Sequence, residues 1–186
     1  MLKPYGYNSK IKARIVYHCM RGQWNNILEM LYKYGNKLAS EDLAPPRNMQ
    51  LLHNLSFAPN SIKCGLCIKY IVELDNVDVN EREHIGGNTP LNFACRYGKL
   101  NQVYYLLKCG AMININDIYG KSPIQNCCRS GGKDNKKIIL SLLKNPPRTY
   151  KQERIDKRNI LGMILNKCIA IGTGQDINQM LISIGY

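Results

Sequence analysis

The chain has 186 residues, 45% of them hydrophobic, and carries 26 Lys and Arg against 13 Asp and Glu, a net charge of +13. That length suits one domain with a continuous core, the apolar fraction excludes wholesale disorder, and no apolar run approaches the ~20 residues that span a bilayer. The charge favours an acidic partner, a protein face or nucleic acid, without choosing between them.

The opening Met1-Leu-Lys-Pro-Tyr-Gly-Tyr has neither the apolar stretch nor the small-residue site of a secretory leader. An intracellular, reducing setting is therefore expected, and the eight cysteines are not read as a disulfide framework. The first helix pair is expected over about 9–38: Cys19-Met-Arg-Gly22 ends one helix, and Trp24, Ile27, Met30 and Leu31 line one face of the next. Pro45-Pro46 closes that stretch. A second pair, about 49–76, opens on Leu51-Leu-His53 and carries Ile68, Ile71 and Val72 on its second helix. Between them Asn54–Ser61, with Pro59, reads as a loop. Asp78-Val-Asn80 has the Asn chemistry of a turn leading onward.

The third pair, about 89–110, begins Gly87-Asn-Thr-Pro-Leu-Asn-Phe-Ala-Cys-Arg-Tyr-Gly98 and continues with Val103, Leu106 and Leu107. The fourth, about 122–145, begins Gly120-Lys-Ser-Pro-Ile-Gln-Asn-Cys-Cys-Arg-Ser-Gly131; Gly131–Lys137 lengthens its turn by about three residues before Ile139, Leu142 and Leu143. Pro146-Pro147 ends it. A fifth pair, about 159–184, runs from Cys168 and Gly172 to Ile177, Met180 and Leu181. The units fall at about 9–40, 48–80, 83–114, 117–149 and 155–186 within a single domain, 1–186.

The third and fourth pairs echo each other at a spacing of 33 residues. Gly87/Gly120, Thr89/Ser122, Pro90/Pro123, Leu91/Ile124, Arg96/Arg129 and Gly98/Gly131 match without a gap. A 33-residue period on a Thr-Pro-Leu-His core is similar to the ankyrin repeat, a turn followed by two antiparallel helices. The resemblance implies an all-α ankyrin-repeat solenoid of about five helix pairs with short β-hairpin fingers. It also implies a protein partner, held by the fingers and by the concave face of the first helices. The short, degenerate repeats resemble small viral ankyrin proteins of the polydnavirus and poxvirus type, some of them NF-κB-inhibitor-like. That likeness implies a host or cellular protein as partner, a Rel/NF-κB-type transcription factor among the candidates. It also implies a place in the host cytoplasm and nucleus and suppression of the host immune response. The sequence closes on the fifth pair, so the F-box-like segment of larger poxvirus relatives is not expected, and the end is basic where NF-κB inhibitors are acidic.

Other constellations are weaker. Cys64-Gly-Leu-Cys67 has a zinc-knuckle gap but no second pair, and Cys19, Cys95, Cys127 and Cys128 stand where first helices need small residues. Gly131-Gly-Lys133 lacks the other residues of a phosphate loop, and Gly172-Thr-Gly174 lacks the strand and third glycine of a dinucleotide site. His53, Asn92 and Gln125 share the repeat's polar position, where a side chain ties neighbouring units together. No enzyme, no metal, no cofactor and no membrane contact is expected. The basic run Arg148, Lys151, Arg154, Lys157 and Arg158 offers a strip for an acidic partner or nucleic acid, with only Tyr150 available for base stacking. The residues expected to meet a protein partner are His84, Ile85 and Asn88, then Ile118, Tyr119 and Lys121 at the finger tips. Arg96 and Tyr97, then Arg129 and Ser130, join them at the ends of the first helices.

Overall fold

A computed structural model of the chain describes residues 7–40, 47–73, 77–130 and 133–144. They form eight helices: α1 (Tyr7–Met20), α2 (Trp24–Ser40), α3 (Arg47–Phe57), α4 (Ile62–Val72), α5 (Pro90–Arg96), α6 (Leu100–Lys108), α7 (Pro123–Ser130) and α8 (Asn135–Lys144). Consecutive helices pair, the first helices α1, α3, α5 and α7 stack in one layer, and the second helices α2, α4, α6 and α8 stack in another. This is the all-α repeat stack the 33-residue echo predicts, four pairs of it among the described residues. The fifth pair, the unit at 155–186 and the basic run Arg148–Arg158 lie outside the described residues.

Local chemistry starts and stops these helices. Pro90 and Pro123 sit in first turns, where the missing N–H costs nothing. Thr89 Oγ1 accepts from Asn92 N at 3.2 Å. Ser122 and Gln125 cap each other: Gln125 N donates to Ser122 Oγ at 3.4 Å and Ser122 N to Gln125 Oε1 at 3.0 Å. At the far end of α5, Gly98 at φ +64 lets its own N–H reach Cys95 O and lets Lys99 N reach Ala94 O. Gly22, at φ +66, closes α1 through the same two bonds, to Cys19 O and from Gln23 N to His18 O. The terminal unit is thus a true copy of the central one, although its spacing is irregular.

Between the layers lie Ile15, Ile27, Leu31, Leu52, Leu55, Ile68, Leu91, Leu106, Ile138 and Leu142, all fully buried. Two sequence expectations change. Asn54–Ser61 is no eight-residue loop: α3 continues through Phe57, because Leu55 and Ser56 are buried and Ser56 Oγ donates back to Leu52 O at 2.8 Å. Only residues 58–61 connect α3 to α4, and Gln102, wholly buried on α6, holds them by donating to Ala58 O and Pro59 O. The fingers, in turn, are tight turns, and no β-strand occurs among the described residues. The longer turn of the fourth pair is present: α8 opens at Asn135, two residues beyond one 33-residue period from Leu100.

The Cys64-Gly-Leu-Cys67 spacing finds its reason in α4. Cys64 and Cys67 point into the core, with Cys64 Sγ donating to Leu55 O at 3.4 Å. Between them Gly65 lies so close to α6 that a Cβ would land inside the Tyr105 ring. Gly65→Ala should therefore lower the thermal midpoint, at about 1–3 kcal/mol for an overpacked contact. Combining it with Tyr105→Leu should recover part of that loss; strictly additive losses in the double variant would show that the two side chains do not meet.

Candidate functional site

Each described finger is folded around one carboxylate. In the second finger, Asp117 Oδ1 accepts from Tyr119 N at 3.0 Å and Lys121 N at 2.8 Å. Its Oδ2 takes Arg96 at 3.1 Å and Asn126 Nδ2 at 3.3 Å, so the finger is bolted to both α5 and α7. One period earlier, position 84 is His, yet the same device is present. Glu83, one residue upstream and one methylene longer, accepts from Gly86 N, Asn88 N and Asn88 Nδ2 on Oε1 and from Ile85 N on Oε2. Gly86 and Asn88 stand where Tyr119 and Lys121 stand in the next unit. Desolvation alone would raise the Glu83 carboxyl, but the Asn88 side chain and the Asn88, Ile85 and Gly86 N–H groups outweigh it and bring it down to about 2. Ile118 N donates to Gly86 O at 3.0 Å, joining one finger to the next.

This scaffold decides which of the expected contact residues are available. Ile85, at 91% exposure, is the most open tip, and His84, Ile118 and Tyr119 are exposed too, with Lys121 half-buried. Asn88 is a correction: it is 3% exposed, folded under its own finger against Glu83, and offers nothing to a partner. Arg96 is a correction of another kind. It is half-buried and its guanidinium is held by Asp117, whose side chain is fully enclosed, and by Asn126 at 3.4 Å. Arg96 is thus fixed as a strut between units. Arg129 is exposed at the end of α7, and Ser130 is half-buried, donating to Cys127 O and Asn135 Oδ1.

Tyr97 leads to a feature that the sequence reading missed. Its ring lies parallel to that of Phe93, centroids 6.2 Å apart, and both meet Phe57 of α3, at 5.8 and 6.0 Å. His53 closes the cluster edge-on to Phe93 at 5.5 Å. The strip therefore crosses from one unit to the next on the face of the first helices, with Tyr97 and Phe57 exposed. Phe57 was hidden by the expectation of a loop; the helical spacing from His53 would have found it. At two of the three polar positions the expected tie to a neighbouring finger is present, His53 Nε2 bonding Asn88 O at 2.9 Å and Asn92 Nδ2 donating to Ile115 O at 3.2 Å, whereas Gln125 Oε1 accepts from Ser122 N of its own unit.

The thiols are placed for packing. Burial, aided by the neighbouring Cys67, pushes Cys19 up to about 12; burial also brings Cys67 to about 12 and drives Cys64 and Cys95 well above the usual range. Such groups stay protonated and unreactive near neutral pH. Among the described residues no helix is long and apolar enough to cross a membrane.

Residues 55–154, more than half of the chain, match the family described as Ankyrin repeats (3 copies). The chain belongs to the ankyrin-repeat family. It is also similar to the transient receptor potential cation channel protein painless of Drosophila melanogaster, 29% identical over 113 residues. That match covers 54% of this chain and 12% of the relative, so the chain spans a small part of the protein it resembles there. Ankyrin repeats make this chain a protein-interaction scaffold, of a kind that is generally not enzymatic.

The two carboxylate hubs can be tested separately. Because the Glu83 carboxyl is depressed in the folded chain, its contribution is full above the ordinary value of 4.5 and fades as pH falls toward about 2. Glu83→Gln should melt below the natural chain at pH 6, and thermal scans should show the gap closing through that acid window; a gap unchanged down to pH 2 would remove Glu83 from the role. Arg96→Ala should destabilise by about 1–3 kcal/mol by leaving a buried charge with fewer partners.

Proposed function

We propose that this chain binds another protein stoichiometrically, using the Phe57–Phe93–Tyr97 strip with the apolar finger tips Ile85, Ile118 and Tyr119 beside it. The observation that carries this reading is the three-ring cluster that spans two units, with Phe57 and Tyr97 exposed and Phe93 half-buried. Aromatic side chains on a rigid helical face supply large contact area at low entropic cost, and they are the types over-represented among binding hot spots. His84, Lys121, Arg129 and Ser130 belong to the polar surround of such a contact, which excludes water more than it adds affinity. The buried thiols and the strut-like Arg96 support a scaffold without catalytic groups.

The finer candidate is a host signalling protein, a Rel/NF-κB-type transcription factor among them, sequestered in cytoplasm or nucleus. Its support is the likeness of these short, degenerate repeats to small viral ankyrin proteins. Failure of an immobilised Rel homology domain to retain the chain would remove it. A second reading, nucleic-acid association, is favoured by one observation, the net charge of +13. Phosphate-driven binding would weaken steeply with salt, and no retention of RNA or DNA on a filter at low salt would dismiss it.

The main test is affinity capture from cell extract with the natural chain, with Phe57→Ala/Tyr97→Ala, and with Ile118→Ser/Tyr119→Ser. The aromatic pair should cost about 2 kcal/mol or more of binding, seen as loss of the retained protein, while circular dichroism shows the repeat stack intact. A retained set unchanged in both variants would end the proposal.

A further inference from the structure

We infer that the outward face of the second-helix layer docks on an anionic lipid surface. The Phe57–Phe93–Tyr97 strip belongs to the other layer, so the inference goes beyond the scaffold reading and does not depend on it. Net charge does not single this face out, because both layers carry basic residues in excess of acids. What distinguishes it is the kind of side chain it exposes and how those side chains alternate. Helices α2, α4, α6 and α8 contain no arginine, and Glu29 is their one acid. The exposed cations described on them are Lys33, Lys63, Lys69, Lys108, Lys137 and Lys144.

These lysines are interleaved with apolar surface. On α4, Lys63, Leu66 and Lys69 follow one another at three-residue steps, the spacing of one helix face, with Ile62 beside them at 62% exposure. On α6, Tyr104 and Lys108 stand one turn apart, the Lys108 Nζ 4.5 Å from the ring centroid. Tyr32 of α2, 86% exposed, is next to Lys33, and Lys137 and Lys144 stand two turns apart on α8. The second helices stack side by side, and their inner sides bury Ile27, Ile68, Leu106 and Leu142. The outward rows therefore share one broad face. Lys63 Nζ donates to Asn25 Oδ1 at 2.8 Å, joining the row on α4 to that on α2.

Such a face is complementary to the headgroup region of an anionic bilayer. An ammonium on a long apolar stem reaches lipid phosphates and carboxylates while the neighbouring Leu, Ile and Tyr side chains settle at the acyl boundary. A contact of this kind lies on the membrane and needs no spanning helix. Glu73 and Asp134, at the edges of the face, each pair with one lysine at 3.5 Å. Among the described residues no acid pairs with Lys33, Lys63, Lys108 or Lys144, so these four keep their charge for a partner. Nucleic acid fits less well. Ile62 and Leu66 would lie unused beneath a phosphate backbone, and Lys108 over Tyr104 and Lys33 over Tyr34 cover rings on which bases would stack.

The test is co-sedimentation of the full chain with phosphatidylcholine vesicles, with and without phosphatidylserine. The chain should be retained by the anionic vesicles and pass over the neutral ones. Lys63→Glu with Lys69→Glu and Lys108→Glu should weaken that retention by about tenfold or more. Lys63→Gln with Lys69→Gln and Lys108→Gln, which sets no new acid beside Glu73, should fall between that variant and the natural chain. Arg14→Glu with Arg21→Glu and Arg129→Glu, the same change of net charge on the first layer, should keep most of the retention. Ile62→Ser with Leu66→Ser, both exposed and so harmless to the stack by circular dichroism, should lower retention at high salt as well as low. Equal loss in the two charge-reversed variants, no retention by anionic vesicles, or tighter binding of a single-stranded oligothymidylate than of those vesicles would overturn the inference. So would retention that the Ile62 and Leu66 changes leave untouched. None of these outcomes bears on the Phe57–Tyr97 strip, whose own test is partner capture.

Discussion

Asp117 carries the constraint on which the repeat stack depends. Its side chain is fully enclosed, a placement that costs several kcal/mol unless each lone pair finds a donor. Two backbone N–H groups of its own finger, the Arg96 guanidinium and the Asn126 amide supply those donors. The four donors come from three parts of the stack, so satisfying one carboxylate fixes the finger, α5 and α7 together. Rigid presentation of Ile118 and Tyr119 follows from it.

The other polar ties work in the same direction at lower stakes. Asn80 accepts from Met112 N at 2.7 Å and donates to Gly110 O at 3.4 Å, linking the approaches to successive fingers. His53 and Asn92 repeat the pattern from the first helices. Cysteine replaces the usual small residues between helices, and Cys19, Cys95, Cys127 and Cys128, all buried, fill volume there as small hydrophobes do. Gly65 pushes the economy of space furthest, letting Tyr105 lie directly on the α4 backbone.

The helix pairs were legible because apolar periodicity, N-terminal Thr-Pro or Ser-Pro and closing Gly are local signals, and the described bounds fall within a few residues of the expected ones. His53 was legible because its register position dictates a backbone partner. Three things were not. Glu83 breaks register by one residue, and a longer side chain restores the geometry, which no alignment of positions reveals. Asn88 looks like a tip residue until that carboxylate folds it inward. Phe57 follows a Leu-Ser pair and precedes Ala-Pro, composition that reads as a loop, whereas burial of Leu55 and Ser56 extends the helix to it. A contact inside the finger overrode the register in the first two cases, and burial against the core overrode the local composition in the third.

The distribution of acidic side chains follows from the same construction. Of the seven acids among the described residues, Asp78, Glu83 and Asp117 are bound up in turns, accepting backbone N–H groups, Glu73 and Asp134 sit beside Lys69 and Lys137, Glu29 lies on α2 and Glu81 in the approach to the first finger. The carboxylates that shape the fingers are thus engaged by their own turns, and the positive excess is shared by both helix layers: of the second helices only α2 carries an acid, Glu29. Carboxylates gathered at the turns leave both helix layers with lysine and arginine in excess, so the positive charge of the stack is a by-product of how the fingers are built.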